Sequence, residues 1–272
     1  MSVERVVAGG YCTGCGVCAQ LGGAGWRMVF TADGCYRPHG TAPLPPAAEQ
    51  LCPFTAASDE DALAAERFAG TAHDPLIGHY RGVYAAAVND AGRAASSSGG
   101  VVTWLLTDLL TSGAIDGVIH VAPLVDDPHG RLFAYRTART PAAVAAGRGS
   151  HYYPIELASE LAAARAAGGR YAVVGVPCMI KAVRLWARHD PGIAQSVAYT
   201  VGLVCGHLKS AAFAAYLGWQ LGVAPEALAA IDFRVKRPGH PANRYAVRAT
   251  ARDGRTVSAP MAALDGSDWG EG

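Results

Sequence analysis

The stretch Tyr11–Cys18, which reads YCTGCGVC, decides how the N-terminal part of this chain is organised. Its cysteines, Cys12, Cys15 and Cys18, form a C-x2-C-x2-C pattern, and Cys52 directly precedes a proline in LCPF. Three thiolates at this spacing can surround one face of an inorganic cluster, and the small residues between them let backbone amides turn toward the sulfurs. We therefore predict one [4Fe–4S] cluster that is bound by these four cysteines.

Two alternatives use the same part of the chain. A structural zinc site also contains C-x2-C pairs, but it usually combines two pairs, or one pair with two histidines, so the triple fits it poorly. Cys35 is a second candidate for the fourth ligand. It follows the Asp33–Gly34 turn without a neighbouring proline. We prefer Cys52, whose separation of 34 residues from Cys18 favours a single cluster.

The composition is that of a globular protein. The 272 residues are enough for two modest domains; 51% of them are hydrophobic and 17% are charged. A net charge of +1 gives no basis for binding nucleic acid or an anionic membrane. The uncharged run from Ser210 to Pro225 is too short to span a membrane. Seven cysteines, four of them grouped, and the lack of a secretory signal lead us to expect a cytoplasmic protein.

Residues 1–75 carry turn residues rather than long periodic segments. We predict a small ferredoxin-like iron–sulfur domain here, with a hairpin that begins at Trp26–Phe30 and a helix over Asp59–Phe68. A bound cluster can replace the apolar core that so short a segment cannot build by itself.

Residues 76–272 alternate between strand and helix patterns, which predicts an α/β domain. The predicted strands are Gly82–Val88, Gly117–Ala122, Tyr171–Val176 and Val197–Val204, and the predicted helices are Val101–Ser112, Ile155–Ala167, Met179–Arg188 and Leu208–Leu221. From about residue 231 three short strands predict a β-meander: Ile231–Val235, Tyr245–Ala251 and Thr256–Ala259. The fold class is therefore α/β, or α+β for the chain as a whole. No closing element precedes Gly272, so we expect the natural protein to continue.

Ligands of α/β sheets bind at the carboxyl ends of the strands, and the Ser96–Gly100 turn is the first loop in such a position. Its glycines allow close approach of the backbone, and it leads directly into a predicted helix whose N-terminus favours an anion such as a phosphate. The alternative is an ordinary helix cap by Ser98.

Two further loops follow buried strands. In Gly175–Cys178 a thiol at a helix N-terminus is a candidate nucleophile or cofactor contact, and the alternative is a small buried residue. In Gly202–His207 the pair Cys205 and His207 lacks a visible orienting group, which disfavours a Cys–His hydrolase. His151 is a candidate for bonding a cofactor or carrying a proton, or an ordinary packing histidine.

Together these motifs resemble the beta-subunit family of coenzyme F420 hydrogenases and dehydrogenases. The resemblance keeps the order of the motifs over nearly the whole chain. It runs through Tyr11–Cys18, Leu51–Pro53, Ala95–Leu110, Gly113–Val118, Gly149–Tyr152, Ala172–Arg184, Val201–Gly206 and Ile231–Gly239.

The resemblance implies an FAD-binding oxidoreductase that passes electrons between the cluster and the flavin, which exchanges hydride with coenzyme F420 or a similar two-electron acceptor. Hydrogenase-type subunits or another redox protein would be its partners. The turn of Ser98, Gly99 and Gly100 would hold FAD, while Gly175, Pro177, Cys178, Cys205 and Gly206 would line the isoalloxazine ring. His151 stands where the family usually has a basic residue. The alternative is a non-catalytic electron-transfer subunit of a larger redox complex.

Overall fold

The structure, a computed structural model, describes residues 1–205 and 208–266. The N-terminal part consists of short helices and two small hairpins. In chain order these elements are α1 (Val3–Ala8), α2 (Val17–Leu21), β1 (Trp26–Phe30), β2 (Tyr36–Gly40), α3 (Ala47–Leu51), α4 (Glu60–Arg67), β3 (Ala72–Asp74), β4 (Gly78–Tyr80) and α5 (Asp90–Ala94).

The rest of the described chain is a mixed α/β structure with two sheets. Its elements are α6 (Val101–Thr111), β5 (Gly117–Pro123), β6 (Phe133–Ala138), α7 (Pro141–Ala146), α8 (Ala158–Ala167), β7 (Tyr171–Gly175), α9 (Pro177–His189), α10 (Pro191–Ser196), β8 (Val197–Gly202), α11 (Ala211–Gln220), β9 (Leu228–Val235), β10 (Ala246–Ala251) and β11 (Thr256–Pro260). The first sheet has the order β6-β5-β7-β8, in which β5, β7 and β8 are parallel and β6 is an antiparallel edge strand. The second is the predicted meander, with the order β11-β10-β9.

Strand β7 is the centre of the larger sheet, and its side chains alternate between two apolar cores. Tyr171 and Val173 pack into a core that includes residues of α8 and α9, whereas Ala172 and Val174 pack into a core that includes residues of α6 and α7. Helices therefore cover both faces of the sheet, as the continuous apolar sequence of this strand predicts.

The larger core also contains Cys15 and Leu51 from the N-terminal part of the chain. The two parts thus share buried apolar surface. The division of the chain at residue 75 stays a prediction.

Helix α9 begins directly where β7 ends, and this fixes the turn between them. Pro177 is the first helical residue, where a missing N–H costs no hydrogen bond. Met179, Ala182, Val183 and Trp186 are buried at helical spacing and hold the helix on the sheet. Cys178 is consequently fixed as the second residue of the helix.

Several sequence predictions are confirmed and one is wrong. The hairpin at Trp26–Phe30 exists, with β2 as its second strand, and Asp59 caps α4. The prediction of a strand over Gly82–Val88 is wrong, because this segment pairs with no strand in the described chain and most of it is exposed. Strand β6 was not predicted. None of the described helices is long and apolar enough to cross a membrane.

Candidate functional site

Four cysteine side chains line one cavity in the N-terminal part of the chain. Cys12 and Cys15 lie on the segment that leads into α2, Cys18 is the second residue of α2, and Cys52 lies at the C-terminal cap of α3. Valines of α1 and the ring of Phe54 complete the wall of this thiol cavity, whose volume is about 370 Å³ including its open mouth. The fold thus brings together the four cysteines that the sequence predicts as cluster ligands.

Two glycines give the segment Tyr11–Cys18, called the thiol loop below, its curvature. Gly14 and Gly16 have φ angles of 78° and 87°, a conformation that costs other residues about 1–2 kcal/mol. A Cβ atom on Gly14 would lie 2.7 Å from the Cβ atom of Tyr36, and one on Gly16 would collide with the carboxylate of Glu156. Both the backbone angle and the close packing therefore require glycine between the cysteines.

The thiols raise one another's pKa values in this cavity. Burial raises the pKa of Cys15, and the nearby Cys18 adds to the increase. Burial, together with Cys12 and Cys52, raises the pKa of Cys18 to about 12. Because thiolates and not thiols bind metals, these groups would ionise together only around a cationic group that compensates their charge.

Hydrogen-bond donors in the cavity wall match the sulfurs of such a group. The amide of Val17 is directed to the Cys15 sulfur, and the amides of Phe54 and Thr55 are directed to the Cys52 sulfur. The Thr13 hydroxyl lines the cavity and is buried without a partner. Iron–sulfur clusters use hydrogen bonds to their sulfurs in this way. The donor set therefore fits a cluster.

Within residues 1–205 and 208–266, no group of three His, Cys, Asp or Glu side chains is arranged to hold a metal ion. The preference for a cluster over a single zinc ion therefore rests on the spacing of the cysteines in the sequence.

Cys35, the alternative fourth ligand, is buried beside Cys12 and Arg37. Burial raises its pKa, whereas the Arg37 guanidinium acts in the opposite direction. Arg37 also donates a hydrogen bond of 2.6 Å to the carbonyl of Cys12. The wall of the thiol cavity is completed by Cys52 and not by Cys35. The structure therefore favours Cys52.

The thiol loop is attached directly to the α/β part of the chain. The amides of Leu157 and Ala158 donate hydrogen bonds of 3.3 and 3.0 Å to the Cys15 carbonyl. Leu157 is the N-cap of α8, so the loop satisfies amides that have no partner inside that helix. Gly16 packs against Glu156, whose carboxylate accepts the Ser159 amide at 2.9 Å.

Aromatic rings also connect the two parts. Phe30 stacks on Tyr153 with 6.2 Å between the ring centroids, and Tyr153 contacts Phe133 at 5.5 Å. Phe133 in turn lies 4.5 Å from the ring of His151. Strand β1 of the N-terminal part is therefore connected through two rings to His151 of the Gly149–Tyr152 motif.

Residues predicted on two different loops meet at the carboxyl edge of the larger sheet. Gly175 lies opposite Gly202 in the parallel register, and the Leu203 amide donates to the Gly175 carbonyl at 2.9 Å. Cys205 follows two residues later and is exposed. Gly206 lies outside the described residues.

A buried tyrosine lies beside the end of β7. The Tyr135 hydroxyl donates to the Val174 carbonyl at 3.0 Å and lies 3.0 Å from where a Cβ atom of Gly175 would be. Burial raises the pKa of Tyr135, and negative charge on Cys178 and on Cys15 would raise it further. The sequence does not single out this residue.

No side chain caps helix α6 at the predicted phosphate-binding turn. The N-cap is Gly100, with a φ angle of 79°, so the alternative of an ordinary cap by Ser98 is wrong. The first amides of α6 are left for a ligand or water. Val102 in the first turn packs on the same apolar core as Val201 of β8, so the start of α6 lies against the larger sheet.

His151 is held in a largely apolar setting. Its Nε2 atom lies 3.2 Å from the Gly147 carbonyl, to which it donates. Burial lowers the pKa of His151 despite the opposing effects of Gly147 and Asp232. The neighbouring His120 is also buried, and its pKa is lowered to about 4 by burial and then by His151. The imidazole of His151 is therefore neutral at neutral pH.

The Ile231–Gly239 motif contributes two cations to which the sequence analysis assigned no role. The Lys236 ammonium contacts the carbonyls of Arg93 and Ser98, the latter at 2.7 Å. Arg234 has a buried Nε atom without a partner. The run FRVKR, residues 233–237, contains a pattern that could have identified these two cations, because basic residues at positions i and i+2 at the end of a strand point to the same side.

Comparison with known families identifies two adjoining regions. The family described as coenzyme F420 hydrogenase/dehydrogenase, beta subunit N-term, matches residues 83–162, and its C-terminus counterpart matches residues 168–269. Together these matches cover well over half of the chain. The four cysteines of the thiol cavity lie before the first match.

Among solved structures, a chain of the F420-reducing [NiFe] hydrogenase complex from Methanosarcina barkeri, studied by xenon derivatization, is similar. The TM-score is 0.48 and the identity 24%; the match covers 71% of this chain and 65% of that chain. This chain therefore matches less than two thirds of the length of that relative. A search of curated proteins gives no significant match. On the two family matches, the chain belongs to the coenzyme F420 hydrogenase/dehydrogenase beta-subunit family.

Proposed function

We propose that the protein is an iron–sulfur flavoprotein oxidoreductase. In this proposal residues 1–75 form a ferredoxin-like domain that holds a [4Fe–4S] cluster, and residues 76–272 form the FAD-binding α/β domain. Electrons pass between the cluster and FAD, and by hydride transfer to or from coenzyme F420 or a similar two-electron acceptor. The family matches support the redox role, and the cofactors are proposed from this chain's own residues.

The observation that carries the proposal is the position of the thiol cavity. Cys12, Cys15, Cys18 and Cys52 surround it, and the Cys15 carbonyl is bonded to the first amides of α8. These amides belong to Leu157 and Ala158, which follow the Gly149–Tyr152 motif by a few residues in the sequence. The contact therefore favours electron transfer between a cluster in the cavity and a cofactor at the carboxyl edge of the larger sheet.

The flavin site is proposed at that edge because its residues fit a nucleotide. The turn of Ser98, Gly99 and Gly100 leads into an uncapped helix, whose amides favour a phosphate. A bound flavin accepts two electrons as hydride and releases them singly to an iron–sulfur centre, which is the chemistry needed here.

The residues around the ring have separate tasks. Gly175 and Pro177 let the backbone approach the ring closely, because neither adds a long side chain there. Cys178 and Cys205 contribute polarizable sulfur atoms to the lining. His151 donates its Nε2 proton to Gly147 and stays neutral, so it presents its other ring nitrogen as an acceptor. No fixed positive charge is then supplied at this position.

We also propose the setting in which the protein works. Redox partner proteins, such as hydrogenase-type subunits, exchange electrons with the cluster, and a deazaflavin is the two-electron substrate. Because thiolate ligands need a reducing environment, we propose the cytoplasm as its location. These assignments apply to this chain what membership of the family implies.

Anaerobic purification with quantification of iron, sulfide and flavin tests the cofactors. We expect about four iron atoms per chain, visible charge-transfer absorption, and one FAD. Cys52→Ser should lose most of the iron, whereas Cys35→Ser, a matched change of a neighbouring buried thiol, should retain it. Colourless protein with bound zinc would refute the cluster, and a full cluster in the Cys52→Ser variant would refute the fourth ligand.

A second experiment distinguishes an enzyme from a passive electron carrier. The protein is reduced anaerobically and offered coenzyme F420, nicotinamides and ferredoxin in turn. Reoxidation of the stoichiometric reduced flavin by a two-electron acceptor supports the oxidoreductase. The absence of FAD, combined with rapid exchange of electrons between the cluster and ferredoxin, would instead favour the alternative, a non-catalytic electron-transfer subunit of a larger redox complex.

A further inference from the structure

Lys236 joins two segments that are far apart in the sequence. It lies just after β9, and its ammonium group contacts the carbonyl oxygens of Arg93 and Ser98. These partners precede it by 143 and 138 residues. The C-terminal region of the chain thus contacts the turn that leads into α6.

The contact with Arg93 adds a cation to the end of a short helix. Arg93 is in the last turn of α5, and its carbonyl also accepts the Ser96 amide at 3.2 Å. A lysine ammonium there interacts favourably with the carbonyl end of the helix. One cation therefore fixes both the end of α5 and the turn that follows.

The contact with Ser98 decides where the next amide points. In a trans peptide the carbonyl and the N–H group point in opposite directions. Because Lys236 holds the Ser98 carbonyl, the Gly99 N–H is directed away from the lysine. The Gly99 carbonyl accepts the Val88 amide at 2.9 Å, so the Gly100 N–H is likewise directed away from that bond.

These two amides adjoin the uncapped first turn of α6. In the described chain, neither the Gly99 amide nor the Gly100 amide donates to a protein group. Successive free amides followed by a helix N-terminus form a concave site for an anion. The orientation of this site depends on a side chain that does not belong to the turn.

We propose that Lys236 is a positioning residue, which orients the Ser98–Gly99 peptide so that the turn presents its amides to a phosphate of the bound flavin nucleotide. The inference rests on the proposed flavin function and adds a residue from the Ile231–Gly239 motif to it. Loss of the ammonium frees the Ser98 carbonyl, and the peptide can then rotate and turn the Gly99 amide away from the site.

The test compares the full-length protein with Lys236→Met, Lys236→Arg and the control Arg237→Met. Arg237 is the adjacent cation, and its side chain makes no hydrogen bond or ion pair within the described chain. The control therefore removes the same charge without removing a contact. Dissociation constants are measured anaerobically for FAD and for riboflavin, which has the same ring without a phosphate.

We expect Lys236→Met to weaken FAD binding by at least about tenfold, in line with the loss of a charged hydrogen bond. Riboflavin binding should stay within about twofold of the unmodified protein, and so should both ligands in Arg237→Met. Lys236→Arg should recover part of the FAD affinity, because a guanidinium can also donate to two carbonyls.

Other results would overturn the inference. Equal FAD binding by Lys236→Met and the unmodified protein would show that the lysine does not position the turn. Equal weakening of FAD and riboflavin would indicate a general structural role. If the unmodified protein bound no FAD, the proposed flavin function would fail, and the inference with it. Trypsin cleavage after Arg93 in the FAD-free protein gives a second readout, which should be faster in Lys236→Met than in Arg237→Met.

Discussion

Replacing Gly16 with alanine should damage the contact between the thiol loop and the α/β part. Gly10→Ala is the matched control, because Gly10 also has a positive φ angle, 78°, but has nothing within 4 Å of its Cβ position. The backbone conformation alone costs about 1–2 kcal/mol in both variants. At Gly16 the added methyl also meets Glu156 and approaches the Ala158 Cβ atom to 3.1 Å.

The additional cost follows from what Glu156 does. Its carboxylate accepts the Ser159 amide at the start of α8, and losing such a helix cap costs about 0.5–2 kcal/mol. Gly16→Ala should therefore destabilise the protein by about 2–4 kcal/mol, against about 1–2 kcal/mol for Gly10→Ala.

Thermal unfolding of anaerobically purified protein measures the difference. At about 2–4 °C per kcal/mol, the additional cost of about 0.5–2 kcal/mol should make Gly16→Ala melt about 1–8 °C below Gly10→Ala. The proposed cluster should also be lost faster to an iron chelator, because the Cys15 carbonyl is no longer held by α8. Equal melting temperatures and equal rates of iron loss in the two variants would refute the close approach of Gly16 to Glu156.

Three further predictions concern single side chains. The pKa of His120 is lowered to about 4 in the folded protein, so the unfolded chain binds an extra proton between about pH 6.5 and 4. The free energy of unfolding should therefore fall by about 3 kcal/mol as the pH drops through this range. Denaturant unfolding should show a smaller fall for His120→Asn, and an equal fall would contradict the lowered pKa. Thr13→Val should lower the reduction potential of the proposed cluster by about 40 mV, because it removes one hydroxyl donor, and one net hydrogen bond corresponds to about this shift for a one-electron couple. A redox titration that shows no change would mean that the hydroxyl does not face the cluster. Asp127 accepts hydrogen bonds from the Arg131 guanidinium at 3.1 and 2.7 Å, which hold the pKa of the carboxyl below its usual range. This pair therefore stabilises the protein above about pH 4, and less as the pH falls further. In denaturant unfolding, Asp127→Asn should lower the free energy of unfolding by about 1–3 kcal/mol at pH 7 and by less at pH 3, and an equal loss at both pH values would argue against the pair.

Local patterns predicted most of the elements correctly. The apolar run Tyr171–Val176 corresponds to β7, and the turn at Asp33–Gly34 closes the hairpin at Trp26–Phe30. These predictions succeed because strand and turn preferences depend on neighbouring residues. Gly82–Val88 has a similar apolar texture, but it pairs with no strand in the described chain; one of its amides, that of Val88, donates instead to the Gly99 carbonyl.

The sequence missed features that depend on a partner. Strand β6 is recognised only when it pairs with β5 at the edge of the sheet. Ser98 is a common type of helix cap, yet the chain enters α6 through Gly100 and leaves the serine outside that role. In both cases the residue type permits more than one outcome, and the path of the backbone selects one of them.

The sequence by itself determined which thiols are available and how they are spaced, because C-x2-C-x2-C and the later Cys-Pro are local properties of the chain. Only the tertiary structure decided what these thiols adjoin. It bonded the Cys15 carbonyl to α8, bonded the Tyr135 hydroxyl to the Val174 carbonyl, and brought Lys236 to the Ser98 carbonyl. Such contacts join residues up to 143 positions apart, and they form through backbone hydrogen bonds and packing that no local spacing encodes.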